Sequence, residues 1–86
     1  MTLGPVRVTM IVFADHGQDF LRWTVNEHGV VIDSQPFQAS VWRGMEVPNV
    51  ADLKEGDIVE LIVRDPGKPT LRSNIKYPVE RVERIR

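Results

Sequence analysis

A chain of 86 residues and 9.8 kDa holds one hydrophobic core, which excludes multidomain enzymes, doubly wound dinucleotide folds and eight-stranded α/β barrels. Its 42% hydrophobic and 27% charged residues are those of a globular protein. The absence of Cys removes disulfides, thiolate metal sites and thiol nucleophiles, and a net charge of -1 gives no general attraction to nucleic acid or anionic lipid.

Met1–Pro5 lacks a signal-peptide pattern, and the longest apolar run, Met10–Ala14, is far short of a membrane span, so a cytoplasmic protein with no membrane partner is expected. Charge is uneven: residues 44–63 carry five acidic groups and one basic, whereas residues 64–86 carry seven basic and three acidic. Those two stretches either pair within the fold or present faces of opposite sign to a partner.

Val6–Phe13 reads as a strand with Val6, Val8, Met10 and Val12 on one face, and with a second half buried on both faces. Asp15–Asp19 supplies a polar break, after which Phe20–Val25 alternates and turns Leu21, Trp23 and Val25 inward. Asn26–Gly29 fits a four-residue hairpin loop with Gly29 left-handed, leading into a strand over Val30–Asp33. Beyond Pro36, Gln38–Met45 reads as a further strand with Gly44 at a bulge or corner.

Pro48–Leu53 reads as one helical turn, with Asn49 as its cap and Asp52 returning a bond as in a capping box. Ile58–Arg64 is a strand whose Val59, Leu61 and Val63 face the core. Asp65–Lys68 carries a Pro-Gly turn signal, and Thr70–Tyr77 alternates as a strand with Thr70, Arg72, Asn74 and Lys76 on its outer face. Val79–Arg86, apolar at every third position, suits a strand with one bulge.

Five to seven short strands with one short helical turn near 49–53 predict an all-β domain over residues 1–86, a small SH3-like or related β-barrel or curled sheet. The segment Leu53-Lys54-Glu55-Gly56-Asp57-Ile58-Val59-Glu60-Leu61 resembles the turn-plus-strand segment of SH3-like barrels, which implies that architecture and no particular activity.

Nothing supports catalysis. His16 and His28 fall in turns, where imidazole is solvated, and no nucleophile elbow, phosphate loop or dinucleotide fingerprint is present. Asp15, His16, Asp19 and His28 hold donor atoms, but Asp and Gly at these positions are also what a turn requires, so no metal and no cofactor is assigned.

Two binding surfaces suggest themselves. Phe37, Trp42 and Met45 form a candidate apolar protein interface, with the opposing reading that they close one end of the core. Arg72, Asn74 and Lys76, joined by Arg64 and Lys68 across the turn, place basic and polar side chains about 7 Å apart along a strand, a spacing that tracks single-stranded nucleic acid, with Tyr77 as a stacking aromatic. The leading expectation is a non-catalytic interaction module or small subunit that binds a protein partner or self-associates through a strand edge; the alternative is single-stranded nucleic acid binding through residues 64–76.

Overall fold

The computed structural model describes residues 4–14, 16–64 and 71–85. They form a mostly β structure built on one five-stranded sheet: β1 (Val6–Ala14), β2 (Gly17–Val25), β3 (Val31–Gln35), β4 (Ile58–Val63) and β5 (Val79–Arg84), in the order β3-β2-β1-β4-β5. The first three strands are an antiparallel meander, whereas β4 returns parallel to β1 and pairs antiparallel with β5. The sheet is not closed: β3 and β5 lie at opposite margins.

Alternation decides which face is buried. Val8, Met10 and Val12 on β1, Leu21, Trp23 and Val25 on β2, and Val59, Leu61 and Val63 on β4 point to one side and are buried. Over them pack Ala39 and Trp42 from a 3₁₀ helix at Phe37–Trp42, together with Val47 and Leu53. The two tryptophans meet with ring centroids 5.5 Å apart, and Tyr77 continues the series at 6.2 Å from Trp42. This aromatic row ties the sheet to the irregular segments that cover it.

The β2–β3 loop follows the expected pattern. Gly29 donates to the Asn26 carbonyl and adopts φ 82°, and the Asn26 side chain accepts from the amides of His28 and Val30. A Cβ at Gly29 would stand 2.8 Å from the Val47 carbonyl oxygen, so close approach as well as positive φ requires glycine there. The turn before β4 is pinned to β1: Gly56 donates to the Arg7 carbonyl, while Glu55 accepts from the Arg7 amide at 2.8 Å and its Nε at 2.7 Å.

Several expectations are corrected. Gln38–Met45 is not a strand; most of it lies in the 3₁₀ helix, which lets Ala39 and Trp42, three residues apart, face the core together. Residues 71–77 form a turn and irregular chain rather than the later part of a strand, with Ile75 donating back to the Arg72 carbonyl. Gly17–Asp19 belong to β2, whose register runs to Ala14↔Gly17, so the polar break is shorter than its composition suggests. The outer face of β1 is buried at Ile11 but open at Phe13.

The helical turn exists as a short 3₁₀ helix, Val50–Asp52, without a side-chain cap hydrogen bond. Asn49 instead grips the edge of β5, its Nδ2 donating to the Val82 carbonyl at 2.7 Å and its Oδ1 accepting from the Val82 amide at 3.0 Å. β5 is a strand with a register shift opposite Ile62/Val63, which is how the spacing of three becomes compatible with a β ladder. The Pro-Gly turn signal at 65–68 lies outside the described residues.

Candidate functional site

The structure separates the residues of the first candidate interface. Trp42 is fully buried, and its indole N–H donates to the Ser73 carbonyl at 2.9 Å, so it is a core residue rather than a surface one. Phe37 is 90% exposed at the opposite end of the same 3₁₀ helix, and Met45 is partly buried against the core. The three do not make one patch. The helical period that replaced the expected strand sends Phe37 and Trp42 in different directions.

The basic row dissolves for the same kind of reason. Arg72, Asn74 and Lys76 are all exposed, but without a strand beneath them their regular spacing is lost. Tyr77 is half-buried against Trp42, and its hydroxyl accepts from the Arg72 amide at 3.1 Å. Arg64 is exposed just beyond β4, and Lys68 lies outside the described residues. Asp15 lies outside them too; His16 bonds Asp19 at 2.8 Å on an exposed surface, and His28 stands 3.6 Å from Glu27. Among the described residues no group of three or more potential metal ligands occurs, and no helix is long and apolar enough to cross a membrane.

What the fold does assemble is the outer face of the sheet. Register places Phe20, Ile11, Glu60 and Glu83 in one row across β2, β1, β4 and β5. The neighbouring rows hold Gln18 beside Phe13 toward one end of the strands and Arg22, Thr9 and Ile58 toward the other. Phe13 is 41% exposed and Phe20 58%, diagonal neighbours on the sheet's two central meander strands, while Ile58 and Ile62 on β4 are half-buried beside them.

A sheet with one free face ordinarily alternates polar side chains there. Here the centre of that face is apolar instead. The parity of Phe20, opposite to Leu21, Trp23 and Val25, is the sequence signal that puts it outside.

Beyond the apolar centre lies a shallow cleft of about 330 Å³, whose walls include the charged Arg7, Arg22, Asp33 and Glu55 beside Val8 and Trp23. Most of its charges are matched locally. Arg7 pairs with Glu55 at 2.7 Å, and Asp33 pairs with Arg43 at 3.0 Å. The Arg7 amide and guanidinium hold the Glu55 carboxyl below its usual range. Arg22 has no ion-pair partner among the described residues, nor has Glu60 on the far side of the apolar centre.

Each margin of the sheet is engaged at one residue, Val82 on β5 and Val31 on β3. Asn49 takes the outward backbone groups of Val82 on β5, and on β3 Val31 donates to the Met45 carbonyl and accepts from the Gly44 amide. Comparison of the chain with family models, with curated proteins and with solved structures finds no match.

Proposed function

We propose that this chain is a non-catalytic protein-interaction module or small subunit that engages its partner through the outer face of the β2–β1–β4 sheet. The observation that carries this reading is the exposure of Phe13 and Phe20 at diagonal positions of that face, with Ile11, Ile58 and Ile62 near them. Burying a phenylalanine contributes about 1.5–3 kcal/mol relative to leaving it in water, so a patch of this kind favours a covering partner. Charged groups of both signs surround it, the arrangement of a protein interface with an apolar centre and a polar rim. Such mixed charge offers little to a phosphate backbone.

The SH3-like architecture belongs to the same proposal. It is supported by the tight Lys54–Asp57 turn entering β4, where the Asp57 carboxylate accepts from the Lys54 amide at 2.8 Å. A cytoplasmic location is proposed with it, in keeping with a chain free of Cys.

The test is photo-cross-linking in cells with benzoylphenylalanine placed at Phe20 and, as a control, at Glu27 in the exposed β2–β3 loop. A protein adduct specific to position 20 supports the reading. Adducts absent from both positions, or equal at the two, overturn it.

A further inference from the structure

Resting on the reading of the outer face as an interface, we propose that its occupant is an amphipathic α-helix of another protein, lying along β1 with a basic flank over β4 and an acidic flank over β2. The width of the apolar strip and the charges on its two sides carry the argument. β1 is the middle strand of the sheet, with β2 on one side and β4 on the other. On this face it shows Thr9, Ile11 and Phe13, while β2 adds Phe20 at the level of Ile11 and β4 adds Ile58 at the level of Thr9. From β2 to β4 is two strand spacings, about 10 Å, which is the diameter of one helix. From Thr9 to Phe13 is about 14 Å, matched by about nine residues of helix. A covering sheet would reach past this strip to β3 and β5. It would strip water from Asp33, Arg81 and Glu83, which already have partners in Arg43 and in one another, and gain little in return.

The two sides of the strip differ in sign. On the β4 side Glu60 stands directly across the ladder from Glu83, and Arg81 is committed to Glu83 at 2.6 Å and to Glu80 at 3.2 Å. Glu60 therefore has no cation among the described residues, and a like charge faces it. On the β2 side Arg22 has no anion among the described residues. Glu60 is level with Ile11 and Arg22 with Thr9, so the unmatched charges flank the strip with an offset of one residue pair. That offset is about 7 Å along the strand, or about four to five residues of helix. A helix that seats its apolar stripe on Ile11, Phe13 and Phe20, with Lys or Arg along one side of the stripe and Asp or Glu along the other, matches both charges at once. Reversing such a helix end for end exchanges its flanks, so the same charges fix the direction in which it runs.

The experiment follows the isotope-labelled full chain by amide NMR during titration with three lactam-stabilised helical peptides of about 14 residues that share one leucine stripe. One carries a basic and an acidic flank, one is basic on both flanks and one acidic on both. Wild type, R22E and E60R/E83Q are compared, the second change in the pair keeping the new arginine from being taken up by Glu83. Fluorescence of buried Trp23 and Trp42 reports that each variant is folded. The expected result is amide shifts on β2, β1 and β4, with the mixed peptide bound about tenfold more tightly than the other two. R22E moves the preference to the doubly basic peptide and E60R/E83Q to the doubly acidic one. Absence of binding by all three peptides, binding without preference, or a preference that the variants leave unchanged overturns the proposal. Where the peptides fail while the cross-link at position 20 still joins a protein, the interface reading stands with an occupant of another shape; where both fail, both readings fall.

Discussion

Trp42 and Phe37 stand five residues apart and have opposite fates, and that contrast separates packing from interaction at the level of single side chains. Trp42 touches Trp23 and Tyr77 and spends its one donor on the Ser73 carbonyl. Trp42→Ala therefore creates a cavity beneath the covering segment and is expected to cost about 3–5 kcal/mol, close to the whole stability of a domain this size. Phe37→Ser, at a position 90% exposed, is expected to stay within about 0.5 kcal/mol of the wild type. Urea denaturation followed by far-UV dichroism measures both, and equal effects would contradict the placement of the two residues.

At the scale of elements, side chains distant in sequence finish what the strands leave open. Asn49 serves β5 as a short artificial neighbouring strand, donating and accepting at Val82 as a backbone would. Asn49→Ala removes both bonds and is expected to cost about 1–3 kcal/mol, with faster exchange of the Val82 amide and concentration-dependent aggregation through the bared edge. Hydrogen exchange at Val82, compared between variant and wild type, checks it.

Glu55 plays the corresponding part for the β1–β4 connection, and its carboxyl is lowered first by the Arg7 amide and then by the Arg7 side chain. A group depressed in the folded state stabilises above its unfolded value and loses that contribution as pH falls through the folded one. The stability gap between wild type and Glu55→Gln should thus be widest at neutral pH and close in acid. Urea midpoints taken at both ends of that range measure the gap.

For the molecule as a whole, one core cluster draws on every strand and on both sides of the covering segment. Leu61, on β4 between β1 and β5, is buried in it. Leu61→Asp places an unpaired charge among Val59, Val63 and Val82 and is expected to unfold the entire sheet rather than loosen one hairpin. Dichroism and tryptophan fluorescence should then report loss of structure together. Retained β signal with only local change would show that the sheet does not depend on a common core.

Alternation alone determined the buried faces of β1, β2 and β4, the β2–β3 loop with its left-handed Gly29, and the bulged strand at the C-terminal end, because these rest on local periodicity and local φ preference. Its parity also puts Phe20 on the outward side of β2, but Phe13 lies in the half of β1 expected to be buried on both faces, and only the structure shows it open. Tertiary structure alone decided that Phe37–Trp42 coils and that residues 71–77 turn. Residues 71–77 gave up their alternation and residues 37–42, which had no clear period, coiled, as Trp42, Ala39 and Tyr77 were seated over the open core. The same packing scattered the proposed basic row and the Phe37, Trp42 and Met45 patch. The outer face came together only when β4 returned parallel to β1, since a surface shared by residues 11, 20 and 60 depends on strand order, which no local preference encodes.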